Sequence, residues 1–411
     1  MVMNLGYKQA EIGTIPTDWE VKPLAEITEK IMVGIASAAT HAYRVKGVPM
    51  FRNQNVKAGK LDDSDVLFIA PEYEITFKNK RLRGGDLLTM RTGYPGVTAI
   101  VPPQYDSAQS FTTLITRPNQ REVESTFLCH YINSEIGQRF FTQSQIGGAQ
   151  KNVNAGTLRM MPIPLPSLLE QRTIATALSD VDALLGALER FIAKKRDLKK
   201  ATMQKLLTGQ TRLPGFCGEW GLRRLGDVAR VQRGASPRPI DSPVWFDQNS
   251  SIGWVRISDV TKSGMCLRET TQKLSPLGVQ HSRLVARGSL IMSICATVGR
   301  PIVTEIDVCI HDGFVVFDDL QADKLFIYYT LKWIEPDWSK HGQTGSQMNL
   351  NTGLITSTQV LLPPLPEQTA IASVLSDMDA ELAALEQRLA KTRALKQGMM
   401  QELLTGRTRL L

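Results

Sequence analysis

The chain has 411 residues, 42% of them hydrophobic and 21% charged, with a formal net charge of +8 and a pI near 9.2. The length excludes one ordinary domain and the composition is that of a globular chain of two or three domains. The positive balance favours a polyanionic partner such as nucleic acid.

The first 13 residues, MVMNLGYKQAEIG, lack the basic-then-apolar pattern of a signal peptide. No apolar run reaches the ~18 residues needed to span a bilayer. Cysteines stand at 129, 217, 266, 295 and 309 without a C-x-x-C pair. Reduced, mostly buried thiols in a cytoplasmic protein are expected.

From about residue 17 to 160 the chain is rich in short β-type runs (VLFIA, DLLTM, VTAIV) punctuated by Gly and Pro. A long helix then begins after Pro166 and ends in LLTG, where Gly209 is a natural C-cap. Its apolar residues Ile174, Leu178, Val181, Leu185, Leu188 and Ile192 alternate four and three apart, an a/d seam. Residues 214–360 return to β-type runs (SLIMSI, PIVTEI, GFVVF). A second long helix follows Pro366, with seam residues Ile371, Leu375, Met378, Leu382, Leu385 and Leu389 and a C-cap at Gly406.

The two helices are one sequence written twice. A shift of 197 positions aligns residues 148–213 with 345–410 without a gap. Over Glu170–Leu213, about 27 of about 44 positions are identical. One such rod, ~57 Å long at 1.5 Å per residue, would leave its seam exposed. Two can cover each other, and the chain order makes them antiparallel. Two helices docked separately on their own domains is the other reading. The continuation after the first helix, with Trp220 and Leu225, matches Trp19 and Leu24, so the chain has a nearly circular logic and pseudo-two-fold symmetry. The segments before the helices are only distantly alike: PMFRNQNVKAGKL (49–61) faces GWVRISDVTKSGMCL (253–267), with Arg52 against Arg256. A constant two-fold scaffold thus presents two different readers. Two-fold proteins meet half-sites on DNA about one helical turn, ~34 Å, apart, a separation such a rod can hold.

No catalytic engine is evident. The chain has no phosphate-binding G-x-x-x-x-G-K-[ST], no Asn-Pro-Pro-aromatic motif and no metal-ligand cluster. His311 beside Asp312 reads as a surface or core histidine, and Asp62, Asp63 and Asp65 as a solvated turn. The chain reads as a recognition module.

PLPEQTAIASVLSDMD with LLTGRTRL, doubled and separated by variable domains, resembles the DNA-specificity subunit of type I restriction–modification systems. The first copy departs slightly, with PLPSLLEQ at 164–171. The resemblance implies an α+β architecture of two mixed α/β target-recognition domains (1–162 and 213–360). They alternate with two conserved spacer helices (163–212 and 361–411) that pair as an antiparallel coiled coil. It implies that each domain reads half of a bipartite site and that two methyltransferase subunits dock, with restriction subunits able to join. S-adenosylmethionine and ATP with Mg are then expected on those partners, with no cofactor, metal or catalytic residue in this chain. The alternative is a coiled-coil protein adaptor without DNA specificity.

Arg or Lys reads guanine in the major groove, Asn or Gln reads adenine, and small hydroxyls read either. In the first domain these types cluster at Arg52, Asn53, Gln54, Asn55 and Lys57, although a plain polar loop is the other reading. Lys78, Lys80, Arg81 and Arg83 are assigned to phosphates, or to a solvated basic face. Arg91, Thr92 and Tyr94 stand on a glycine-punctuated loop, and Gln150 and Lys151 precede the first helix. The second domain offers Arg233, Ser236, Arg238, Arg256, Ser258 and Asp259, then Lys340, His341, Gln343, Thr344 and Gln347. The matched Q-x-N-x-N stretches (150–154 and 347–351) either contact DNA or cap the turn into each helix.

Overall fold

A computed structural model describes residues 6–144, 152–338 and 350–410. The chain divides into two units: residues 1–189 with 387–411, and residues 190–386. The long helices run Leu168–Leu207 and Leu365–Leu403, so each contributes one half to each unit. The units therefore cut across the linear four-part division of the sequence.

In the first unit the main sheet has six strands, in the order Thr28–Val33, Leu114–Pro118, Leu87–Thr89, Thr98–Ile100, Gly59–Leu61, Val56–Lys57. Leu87, Leu88 and Thr89 are all buried, as expected of a central strand covered on both faces. A second sheet joins Gln109–Ser110, Val48–Phe51, Leu67–Ile69 and Tyr43–Arg44. In the second unit the corresponding sheet is Arg230–Arg233, Phe314–Asp318, Leu290–Ser293, Pro301–Thr304, Cys266–Leu267. Its five strands repeat the order and directions of the first five strands of the first unit's sheet: three antiparallel pairings, then one parallel. Two domains that share little sequence thus share a sheet.

The seam residues do not form one continuous zipper. Ile174 and Leu178 sit in the first unit's core with Trp19, Phe127 and Tyr131, and Leu403 and Leu404 of the other long helix join them there. Ile371 and Leu375 sit in the second unit's core with Met203, Leu206 and Leu207. The start of each helix thus docks on its own domain and receives the end of the other helix. Leu188, Ile192 and Leu382 are buried further along, while Val181, Leu185, Met378, Leu385 and Leu389 are half-buried. Both features of the two sequence readings, docking and pairing, are present.

Direction is fixed by ion pairs. In the first unit Asp182 meets Lys396 at 2.6 Å and Glu189 meets Arg393 at 2.6 Å. In the second, Asp379 meets Lys199, and Glu386 meets Arg196 at 2.6 Å. Numbers rise along one helix as they fall along the other, so the pairing is antiparallel. The 197-residue repeat carries each first-unit pair onto its second-unit counterpart. This is the reciprocal contact rule of a two-fold interface, written within one chain. Gly209 and Gly406 end the helices at φ +71° and +70°, the left-handed conformation a glycine C-cap supplies.

Each unit is locked by a matching set of contacts. Glu170 is 1% exposed; it accepts the Trp19 indole N–H at 3.2 Å and the Arg409 guanidinium, whose Nη2 lies 2.8 Å away. Glu367, fully buried, accepts Trp220 at 3.2 Å and Arg212 at 2.9 and 2.5 Å. The neighbouring Gln171 and Gln368 accept the Glu124 and Asp323 backbone N–H groups at 2.8 Å each. Sequence order is unlike in the two sets, since Arg409 follows its glutamate by a whole unit, yet the chemistry is the same.

Among the described cysteines, Cys129 and Cys309 are buried and Cys217 is exposed. Burial pushes the Cys129 thiol up to about 12 and Cys309 up to about 11. Cys266, half-buried, is pushed up to about 11 by the same cause. A thiol reagent added to the native protein near neutral pH is therefore expected to label Cys217 first. Peptide mapping checks this; labelling of Cys129 or Cys309 at the same rate would contradict the packing described.

Candidate nucleic-acid interface

In the first unit the strand Val48–Phe51 delivers the chain to Arg52, where it turns through a short 3-10 helix, Asn53–Asn55. The turn is held by Asn55, whose Oδ1 accepts the Arg52 backbone N–H at 2.9 Å. The Asn55 amide donates to the carbonyls of Asp62 (3.0 Å) and Asp65 (2.9 Å). Asn55 is 2% exposed, so the expectation that it reads a base is corrected: its side chain is consumed inside the turn.

Of the rest of the stretch, Gln54 and Lys57 are exposed, Arg52 and Asn53 are half-buried, and Val56 is buried. Arg52 Nη2 donates to the Asp65 carboxylate at 2.9 Å and to its carbonyl at 2.7 Å. Gln54 Nε2 donates to the same carboxylate oxygen at 2.8 Å. Asn53 Nδ2 donates to the Thr92 hydroxyl at 3.0 Å, which joins this turn to the loop carrying Arg91 and Tyr94. Tyr94 is 77% exposed, and Lys57 is exposed. Arg52, Asn53, Gln54 and Lys57 thus share one polar surface with the loop at 91–94, although the two stretches are separate in sequence.

The basic stretch at 78–83 is less available than its sequence suggests. Arg81 grips Glu74 with two hydrogen bonds of 2.7 and 2.8 Å, and Glu74 is 3% exposed. That guanidinium holds the Glu74 carboxyl below the usual carboxylate range. Lys80 donates to the Gly34 carbonyl at 2.9 Å, and Arg83 lies 3.7 Å from Glu29. Arg81 thus neutralises a buried acid, and its side chain stays 41% exposed. Lys78 has no partner among the described residues and stays exposed. The stretch borders an open groove of about 450 Å³ that also includes Lys30 and Arg117.

The second unit places its candidates around Asp312. Ser236 Oγ donates to Oδ1 at 2.7 Å, Arg238 Nη2 to Oδ2 at 3.2 Å, and Arg233 Nε to the carbonyl at 2.6 Å. The Ser236 hydroxyl above all, with His311 and Arg238, holds the Asp312 carboxyl below its ordinary value. His311 is a core histidine beside Trp254 and Phe314. Its Nδ1 accepts the Gly313 backbone N–H at 2.9 Å, and burial pushes its pKa down, so it shapes the turn as a neutral ring.

Arg256 occupies the position of Arg52. Its backbone N–H is accepted by Asp259 at 2.9 Å, as that of Arg52 is by Asn55, and its Nε donates to Gln272 at 2.7 Å. Asp259 is 5% exposed and also accepts from Thr271, so it too is corrected from a base reader to a cap. Ser258 is exposed.

Gln150, Lys151, Lys340, His341, Gln343, Thr344 and Gln347 lie outside the described residues. Of the matched asparagines next to them, Asn154 caps the helix Ala155–Arg159 by accepting the Thr157 N–H at 2.8 Å. Asn351 caps Thr352–Ser357 by accepting from Leu354 at 2.7 Å. The sequence reading takes Asp65 only as part of a solvated turn, names Asp312 only as the neighbour of His311, and does not single out Gln272. No local signal singles them out, because each matters through a partner distant in sequence. Among the described residues no group of His, Cys, Asp and Glu side chains is arranged to hold a metal ion, and no helix is long and apolar enough to cross a membrane.

Comparison with known proteins is consistent along the chain. The type I restriction modification DNA specificity domain matches twice, over residues 16–197 and 218–392. A Methanocaldococcus jannaschii protein named for the specificity subunit of the type I restriction enzyme MjaX is 25% identical, over 98% of this chain and 97% of the relative. The specificity subunit of the Escherichia coli K12 type I restriction enzyme EcoKI is 22% identical, over 95% of this chain and 89% of its own. The S subunit of a type I restriction-modification system from M. genitalium has the same fold, with a TM-score of 0.59 at 13% identity, 98% of each chain being covered.

Proposed function

Because the chain belongs to the type I restriction–modification DNA specificity family, we propose that it reads an asymmetric DNA site in two halves, one with each unit's recognition domain. The paired long helices set the gap between the halves and carry the docking faces for methyltransferase and restriction partners. A specificity subunit is not itself the enzyme. S-adenosylmethionine, ATP and Mg act on the partner subunits, and this chain supplies sequence choice.

The observation that carries this reading is the contrast between scaffold and readers. The locks at Glu170 and Glu367 and the inter-helix ion pairs are duplicated residue for residue. The polar surfaces at Asp65 and Asp312 are built from different residues beside different strands of the two smaller, four-stranded sheets. Selection of two unlike half-sites by one frame needs that contrast. The helices support docking of two copies of one partner. Asp180, Ala183, Ala187, Lys194 and Leu198 recur three, four or seven apart, the spacing of one helix side. All five are exposed, as are their identical counterparts Asp377, Ala380, Ala384, Lys391 and Leu395. Leu198 and Leu395, at matching positions, remain 51% and 60% exposed.

DNA binding tests the reading against a protein-only adaptor. Phosphate contacts release counterions, so about six to ten of them make affinity fall about 10³–10⁵-fold between 50 and 200 mM salt. Titration of the assembled complex with duplex DNA is expected to give such a slope; salt-independent or undetectable binding would favour the adaptor. A second expected outcome concerns the spacer: inserting one helical turn after Leu198 lengthens the gap read between the half-sites or abolishes binding. An unchanged gap with full methylation would refute the spacer role.

A further inference from the structure

We propose that Asp65 in the first unit and Asp312 in the second are positioning residues for DNA reading, each holding its domain's polar side chains in one orientation toward the bases of one half-site. The proposal rests on the function proposed above. Neither aspartate is itself assigned to a base.

The geometry around each is convergent. One oxygen of the Asp65 carboxylate takes both Arg52 and Gln54, and its carbonyl takes Arg52 and Asn55. The Asp312 carboxylate takes Ser236 and Arg238, and its carbonyl takes Arg233. Yet the carboxylates stand at the surface: the Asp65 side chain is 70% exposed and that of Asp312 43%. Exposed ion pairs contribute little to stability, so stability does not account for so many donors meeting there. What the arrangement does achieve is order. Arg and Gln side chains have large rotamer freedom, and fixing them before binding removes part of the entropic cost of contact.

The orientation suits base reading. Arg52 spends Nη2 on Asp65 and its Nε is buried without a partner, which leaves Nη1 to donate to a single acceptor such as a guanine O6 or N7. With one amide hydrogen on Asp65, Gln54 keeps its carbonyl oxygen to accept from an adenine N6 and its second hydrogen to donate to N7. The cations also offset the repulsion that a bare carboxylate would meet near phosphates. The two aspartates are not related by the repeat. Asp65 precedes the strand Leu67–Ile69, whereas Asp312 follows the strand Val308–Ile310. The same device at unrelated points, each beside a smaller four-stranded sheet, fits readers that diverged on a common frame.

Maps of methylated adenine test this, made with the full chain expressed beside its methyltransferase partner. Asp65→Ala is expected to relax one or two base positions of one half-site, with about a ten- to hundredfold loss of discrimination there, and to leave the other half-site and the gap alone. Asp312→Ala is expected to do the same to the other half. Arg52→Ala should relax positions that Asp65→Ala relaxes, and the double variant should add little. Asp65→Asn keeps the shape of the side chain and should give a milder form of the same relaxation. Asp62→Ala, on the same turn, should leave the motif unchanged. Unchanged half-sites, both aspartates affecting one half, or a uniform fall in methylation with no change of sequence would overturn the proposal. A wild-type chain that directs no interrupted motif would overturn the function on which it rests, and the proposal with it.

Discussion

Arg409→Ala is expected to destabilise the first unit by about 3 kcal/mol, at the lower end of what breaking a buried ion pair costs. The cost resides in Glu170. With Arg409 gone, a carboxylate that is 1% exposed keeps only the Trp19 indole N–H as a side-chain donor. Arg409 also binds Asp18 through Nη1 and Nη2 at 3.1 and 3.0 Å, so the change frees the turn that carries Trp19. Arg409→Lys is expected to fall between, because an ammonium cannot reproduce the planar fork. Arg407→Ala is the control: that side chain is 63% exposed and lies 3.9 Å from Glu402, and its loss is expected to change stability by less than about 0.5 kcal/mol. Denaturant unfolding gives the size of the effect, and hydrogen exchange over residues 19–27 assigns it to the first unit. Equal effects at 407 and 409 would mean that the Glu170 lock contributes nothing.

The second large effect is a change of specificity. Replacing residues 213–360 by the matching domain of a relative is expected to change one half-site completely while leaving the other half and the gap as they were. The strand Gly221–Arg224 pairs with Gln359–Leu362 just before the second helix, and Trp220 sits on Glu367. The replacement must therefore keep this strand pair and the lock, which the shared frame allows because Trp19 and the pair Glu20–Pro23 with Pro162–Leu165 recur in the first unit. Methylation of a library of duplexes reads the result. Simultaneous change of both halves would contradict reading by separate domains.

The scaffold was legible in the sequence because its signals are local or repeated. Seam spacing, the glycine C-caps and the match of Trp19 to Trp220 all survive without knowledge of tertiary contacts. The division of labour along the seam was not legible. Ile174 and Ile371 look like coiled-coil positions, yet the domain cores take them first, since an apolar face buries against whichever surface is nearest.

The readers were only half legible. Polar clusters at 52–57 and 233–238 fall on ordered surface turns, but residue type cannot separate an exposed Gln54 from a buried Asn55 one position on. Arg52 with Asn55, and Arg256 with Asp259, share a spacing of three that signals a side-chain cap on a short helix. That pattern was available and points away from DNA. Asp65 was taken for part of a solvated turn because its three partners are brought to it by the fold. The ion pair of Arg81 is not legible either, because Glu74, its buried partner, is one acid among many in a linear reading.

The most direct measurement is a genome-wide map of methylated adenines in a host that expresses the methyltransferase partner with and without this chain. The account predicts one asymmetric, interrupted motif that is present with the chain and vanishes without it. A complex that assembles and yet yields no motif, or an unbroken symmetric one, would contradict the claim that two unlike domains on one two-fold frame each read half of a site.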